Sequence, residues 1–171
     1  KSKKRRPAII YCLSKQNTED LSNYLNEQGI GSAYYHAGLE AEKRTKVHHK
    51  FLEGKLDCIV ATIAFGMVID KADIKTVIHT GLPKNMESYY QEIGRAGRDG
   101  LPSECYMFYS LSDFNTVNYF TNQIKNITYR NHMIQLTLIM KNFIFSSECR
   151  RKYILDYFGE EYTKENCGMC D

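Results

Sequence analysis

The strongest constraint on this chain is a change of pattern at Ser110. Before it, apolar runs of strand length alternate with stretches of helical period; after it, only helical patterns follow. Ala8 to Leu13, Ser32 to Tyr35, Asp57 to Thr62, Thr76 to His79 and Glu104 to Tyr109 read as strands. Asn17 to Gln28 carries Leu21, Tyr24 and Leu25 at helical spacing and stops at Gly29. Glu40 to Leu52 sets Val47, Phe51 and Leu52 on one side and stops at Gly54, and Met86 to Ala96 reads as a third helix. Beyond Ser110 come Asp113 to Ile124, Tyr129 to Phe145 and Glu148 to Phe158. Strands alternating with helices predict an α/β fold, a parallel sheet covered on both faces. Ligands of such a sheet lie at the carboxyl ends of its strands. The expected division is a basic connector over 1–6, a sheet domain over 7–110 and a helical, cysteine-bearing subdomain over 111–171.

Charge and cysteine placement narrow the function. Five of the first six residues are basic, so the 23 Lys+Arg of the whole chain fall to 18 beyond them, against 20 Asp+Glu. The basic footprint of a domain that binds nucleic acid over its whole surface is absent, and any such contact is local. No run approaches a membrane span, and no apolar stretch behind the basic start has the length of a secretory signal. Of the six cysteines, Cys12, Cys58 and Cys105 sit in apolar runs and read as small hydrophobes. Cys149, Cys167 and Cys170 lie in polar surroundings, where metal binding is the better reading than disulfides. Their last pair has the spacing of many zinc knuckles.

The stretch Gln91-Glu92-Ile93-Gly94-Arg95-Ala96-Gly97-Arg98-Asp99-Gly100 carries the sharpest chemistry. Two arginines three apart fall on one face of a helix end, and Gly94 and Gly97 clear space beside them. Two planar, always-charged forks suit a phosphate approached across an interface. The plainer alternative is a pair of surface arginines bound to Glu92 or Asp99.

Tyr89 to Gly100 resembles motif VI of the RecQ family of DNA helicases. Ala61 to Lys71 resembles motif V of that family, and Tyr35-His36-Ala37-Gly38-Leu39 and Ile10-Tyr11-Cys12-Leu13-Ser14 resemble its earlier motifs. Cys149-Arg150-Arg151, Tyr157-Phe158-Gly159-Glu160 and Cys167-Gly168-Met169-Cys170-Asp171 resemble its zinc subdomain. Lys71-Ala72-Asp73-Ile74 and Met86 to Ile93 look closest to Werner-type eukaryotic members. The resemblance implies the second RecA-like lobe of an ATP-dependent 3′–5′ helicase, followed by a small helical zinc-binding subdomain. The phosphate loop and magnesium carboxylates of the first lobe are not in this sequence, where Gly54-Lys55 is followed by Leu56 rather than Ser or Thr. ATP and Mg2+ would then be held mainly by a first lobe in cis, and the chain alone would be inactive as an ATPase.

The same resemblance assigns roles. Arg98 resembles the arginine finger, with Arg95 beside it and Gln91 linking nucleotide state to DNA. Asp70 resembles a residue that holds this lobe against the nucleotide. Ser14, His36, Gly38 and Thr62 resemble contacts to DNA phosphates, and Arg150 and Arg151 either reach DNA or cap acidic neighbours such as Glu148 and Asp156. Cys149, Cys167 and Cys170 resemble zinc ligands of a structural site whose fourth cysteine is expected just beyond Asp171, with His132 the candidate should the fourth ligand lie within the chain. Position 68 is Val where the family motif has Gly; either the backbone there suits Val, or coupling to DNA or ATP is weakened. The partners implied are single-stranded DNA and duplex junctions, the setting repair and recombination, and the compartment the nucleus. A DEAD-box RNA helicase is the rival within the class, set against Tyr90-Gln91 where its motif VI begins His-Arg. A stand-alone nucleic-acid-binding zinc module is the rival outside it.

Overall fold

The structure is a computed structural model that describes residues 6–65 and 69–171. Five parallel strands, β1 (Ala8–Tyr11), β2 (Ser32–Tyr35), β3 (Cys58–Ala61), β4 (Thr76–His79) and β5 (Glu104–Met107), pair in the order β2-β3-β1-β4-β5. The helices are α1 (Lys15–Glu27), α2 (Ala41–Leu52), α3 (Met86–Ile93), α4 (Leu111–Asn122), α5 (Ile127–Phe145) and α6 (Arg150–Tyr157). A 3₁₀ turn over Ile63–Phe65 follows β3.

Alternation along the strands sends side chains to two cores. Ile9, Tyr11, Ile59, Ala61 and Val77 pack with Phe51, Phe65, Ile69 and Ile74 on one face. Ala8, Ile10, Cys12, Cys58 and Val60 face the other, with Leu21 and Leu25 of α1 against them. The central strands are therefore continuous apolar runs, as the sequence leads one to expect of a sheet buried on both sides. The start of α1 is fixed by Ser14, whose hydroxyl accepts from Asn17 N at 3.1 Å. Its end is fixed by Gly29 at φ +74, which lets Ile30 N reach back to Leu25 O. The most buried residues of α1 are Thr18 and Ser22, whereas Tyr24 is exposed.

Within the described residues, those up to Leu82 together with Gln91–Ser110 form one compact unit, and Pro83–Tyr90 with Leu111–Asp171 form a second. In the second unit α5 buries Leu136, Met140, Phe143 and Ile144, one stripe at helical spacing. Phe143 packs edge-on against Tyr153 of α6, at 5.5 Å between ring centroids. No helix among the described residues is long and apolar enough to cross a membrane.

Candidate functional site

α3 ends at Ile93, three residues short of the expected Ala96. Gly94 and Gly97 favour leaving the helix, and Gly97 sits at φ +67, where a side chain is strained. Gly97 N donates to Ile74 O at 2.9 Å and Asp99 N to Ala72 O at 3.1 Å, so the turn is laced to the segment leading into β4. The two arginines consequently do not share a helix face. Arg95 is only 5% exposed, and its Nη1 donates to Ile69 O at 3.2 Å. Arg98 is open to solvent, its Nε donating to Gly94 O at 3.1 Å and its Nη1 lying 3.4 Å from Asp70 Oδ1. Gln91 is exposed on the last turn of α3. Neither arginine takes the carboxylates first considered for it. Glu92 binds His79, and Asp99 binds Lys75 Nζ at 2.6 Å, which holds its carboxyl below the usual range.

A buried polar set lies beneath this turn, and the sequence reading missed it. His79 Nε2 and Glu92 Oε2 are 2.7 Å apart, with both side chains almost wholly buried. Tyr11, the register partner of His79 on β1, stacks on the imidazole at 5.3 Å. Burial pushes the Tyr11 hydroxyl up to about 12, against the pull of the Arg95 guanidinium. The only signal in the sequence was a histidine closing an apolar strand.

Ser14, His36, Gly38 and Thr62 follow the carboxyl ends of β1, β2 and β3, three adjacent strands. His36 is 4% exposed; its Nε2 meets Glu19 Oε1 at 2.9 Å, and its Nδ1 is buried without a partner. A Cβ at Gly38 would lie 3.0 Å from Lys15 Nζ and 3.2 Å from His36 Nδ1, so the missing side chain leaves room for both. Lys15 was not singled out in the sequence. Hydroxyls, an ammonium and the start of α1 on one edge make a surface suited to phosphate oxygens. Val68 lies outside the described residues.

Cys149, Cys167 and Cys170 place their sulfurs within 4.8 Å of one another. Cys170 Sγ is 3.4 Å from Cys167 Sγ and 3.6 Å from Cys149 Sγ. Tetrahedral zinc with bonds of about 2.3 Å needs sulfurs about 3.8 Å apart, so the set fits the ion. Backbone N–H groups bias one of the sulfurs toward thiolate: that of Lys152 foremost brings Cys149 down to about 6, and Cys167 N also donates to it at 3.3 Å, whereas burial foremost pushes the Cys170 thiol up. These three sulfurs form a zinc-binding site, with one tetrahedral position left for another ligand. His132 is exposed on α5 and does not belong to the group. Arg150 turns inward: its guanidinium donates to Phe143 O, to Ile144 O at 3.1 Å and to Asp171 Oδ1 at 3.1 Å. Its acidic partner is thus Asp171, and it closes the carboxyl end of α5.

The parallel sheet with its laced arginine turn and attached three-sulfur unit defines a RecA-like helicase C-terminal lobe carrying a zinc-binding subdomain. Residues 1–100 match the helicase conserved C-terminal domain, and residues 111–171 match the RecQ zinc-binding family. The chain belongs to the RecQ family, as its helicase C-terminal and zinc-binding region. It is 48% identical over 95% of its length to a protein of Acanthamoeba polyphaga mimivirus named as an ATP-dependent RNA helicase, covering 30% of that protein. It is 46% identical over 91% of its length to the bifunctional 3′-5′ exonuclease/ATP-dependent helicase WRN of Mus musculus, covering 11% of it. It is 38% identical over 98% of its length to the ATP-dependent DNA helicase RecQ of Pasteurella multocida, covering 27% of it. The chain thus spans less than a third of these relatives. Among solved structures, a DEAD-box protein from Methanococcus jannaschii superposes with a TM-score of 0.60 at 29% identity, over 73% of this chain and 34% of that one. Escherichia coli SrmB superposes with a TM-score of 0.62 over 73% of this chain and 74% of that one, at 23% identity, a likeness of fold alone.

Proposed function

We propose that this chain is the second motor lobe of a RecQ-type ATP-dependent 3′–5′ DNA helicase acting in repair and recombination. Arg98 is the arginine finger, Gln91 couples nucleotide state to DNA, and Arg95 and Asp70 fix this lobe at the nucleotide. ATP and Mg2+ are held mainly by a first lobe in cis, so the chain alone binds ATP weakly and hydrolyses none. Single-stranded DNA runs along the strand-end edge formed by Ser14, His36, Gly38 and Thr62, with Lys15 added by the geometry. Arg150 offers DNA only the donors left over from α5. Mouse WRN at 46% and Caenorhabditis elegans wrn-1 at 44% identity support a eukaryotic-type parent, and with it nuclear residence.

The observation that carries the reading is Arg98 itself. Its guanidinium is solvent-accessible, its partner Asp70 is 97% exposed, and its backbone neighbours Gly97 and Asp99 are both tied to the segment leading into β4. An exposed ion pair of this kind is worth little and yields readily to a phosphate. In the intact helicase, Arg98→Ala should lower kcat for ATP by ~10³-fold and change KM far less. Arg98→Lys should not restore full turnover, because a point charge does not mimic a planar fork. Turnover within a few-fold of wild type would remove the finger assignment. The mimivirus relative's name makes RNA the competitor to test, and stimulation of turnover by RNA but not DNA would overturn the DNA reading.

A further inference from the structure

The turn that presents Arg98 is anchored at both ends, and the anchors differ in kind. At its far end, Asp99 meets Lys75 near the surface, with side chains about one-fifth exposed. At its near end, Glu92 is driven into the sheet, where its carboxylate accepts from His79 Nε2 at 2.7 Å with 7% and 3% of the two side chains exposed. A buried carboxylate is costly unless paired and hydrogen-bonded, so a carboxylate held on an imidazole at this depth calls for a reason. Three observations converge on one. Glu92 is the penultimate residue of α3, and its carbonyl accepts from Arg95 N at 3.3 Å, so it sets the origin of the turn. Its partner is the last residue of β4, and that imidazole is in turn fixed by stacking on Tyr11 of β1. Arg98 Nε then donates to Gly94 O at 3.1 Å, two residues from the anchor, so the fork inherits its aim from the path of that turn.

We propose that Glu92 is a positioning residue for the Arg98 fork, acting through its buried hydrogen bond to His79 at the carboxyl end of β4. A carboxylate only accepts, so His79 Nε2 carries the proton of this bond. Both side chains are almost wholly buried, which keeps them from direct contact with a nucleotide at the surface. Their effect is confined to where the Arg98 guanidinium stands when charge develops on the transferred phosphoryl group, and a 1 Å displacement there can cost about 100-fold.

The proposal rests on Arg98 being the finger, and the test separates the two. ATP turnover is measured in the intact helicase for Glu92→Ala, Glu92→Gln, Arg98→Ala and the double variant Glu92→Ala/Arg98→Ala. Glu92→Ala should lower kcat by about 100-fold while KM for ATP changes less than about threefold. Glu92→Gln, whose amide oxygen still accepts from His79, should recover most of the loss. In the Arg98→Ala background, Glu92→Ala should lower kcat no further, because its effect runs through the missing fork. Should Glu92→Ala fail to fold, His79→Phe keeps the stack on Tyr11 and removes the donor, and it should give the same kcat loss and the same non-additivity. If Glu92→Ala and His79→Phe turn over within a few-fold of wild type while Arg98→Ala is inactive, the positioning role is wrong and the finger stands. Losses that multiply in the double variant also overturn it. If Arg98→Ala itself is active, the failure lies in the finger assignment.

Discussion

Gly97 stands so close to Ser103 that a Cβ on it would lie 2.6 Å from Ser103 Oγ and 3.0 Å from Leu101 O. Its φ of +67 is costly for any other residue type by about 1–2 kcal/mol before any clash is counted. Gly97→Ala should therefore destabilise the chain by more than that and displace the Arg98 turn. Thermal unfolding and ATP turnover of the intact helicase check it: both should fall, the turnover more than unfolding alone explains at the assay temperature.

The Lys75 ammonium, first among several influences, holds the Asp99 carboxyl below its ordinary value of 3.8. A carboxyl with a depressed folded-state pKa adds stability that is present above the unfolded value and lost as pH falls through the folded one. Asp99→Asn should accordingly be less stable than wild type near neutrality, and the gap should close only below about pH 4. Denaturant midpoints of the two proteins across the acid range read this out, and a gap independent of pH would remove the ion pair as its cause.

The sheet was legible because both its faces are apolar, which makes Ile9, Ile59 and Val77 recur in unbroken runs. The zinc ligands were legible for a different reason, since Cys167 and Cys170 are close in sequence as well as in space. The face of α1 was legible only in part: Leu21 and Leu25 do pack against the sheet, but the tightest contact is made by small polar residues. Ser22 Oγ lies 3.0 Å from Ser32 Oγ, and Ser32 Oγ donates to Ser22 O at 2.8 Å, both side chains buried. A search for apolar spacing steps over such residues and selects Tyr24, which faces solvent. The buried His79–Glu92 pair escaped for the same reason: hydrogen bonding between residues on separate elements leaves no periodic trace. The helix end at Ile93 was missed because amphipathic period ran on while Gly94 and Gly97 broke the backbone.

The α1 contact makes a prediction of its own. Replacing Ser22 with a residue that fits the apolar pattern should harm the fold rather than help it. Ser22→Leu should cost at least about 1–3 kcal/mol by overpacking, and the Ser32 hydroxyl also loses its contact to the Ser22 hydroxyl. Ser22→Ala should cost less, since Ser32 Oγ keeps the backbone carbonyl of residue 22. Urea unfolding of the three proteins orders them, and a Leu variant as stable as wild type would show that the helix is free to move off the sheet.

Zinc should matter to one unit and not to the other. Binding energy at a site built from the residue that caps α6 and the loop that follows the helix is folding energy for that part of the chain. Chelation should release one zinc per chain and raise amide exchange across residues 127–171, leaving β1, β3 and β4 protected. Cys167→Ser should weaken zinc by more than the 10–100-fold typical of an outer-shell change, because it removes a ligand itself. Metal content after dialysis, alongside exchange with and without chelator, decides it. Uniform loss of protection in the sheet would place the metal in a wider role than this site supports.

Arg150 separates a structural role from a DNA-contact role through its salt dependence. The guanidinium serves the carbonyls of Phe143 and Ile144, lies over the Phe143 ring at 5.5 Å, and reaches Asp171. Removing it leaves helix-end carbonyls without their donor, a loss of about 1–3 kcal/mol. Arg150→Ala should therefore lower the thermal midpoint, and Arg150→Lys should restore only part of it, since one ammonium cannot span three acceptors set around a planar fork. A phosphate contact would make a different mark: its removal reduces the slope of log affinity against log salt by about one. With the fork turned toward α5, Arg150→Ala should leave that slope unchanged in the intact helicase, whereas Lys15→Ala, on the strand-end edge beside His36 and Gly38, should reduce it. DNA titrations at a series of salt concentrations for both variants decide the assignment. A reduced slope for Arg150→Ala with a steady one for Lys15→Ala would reverse the two roles.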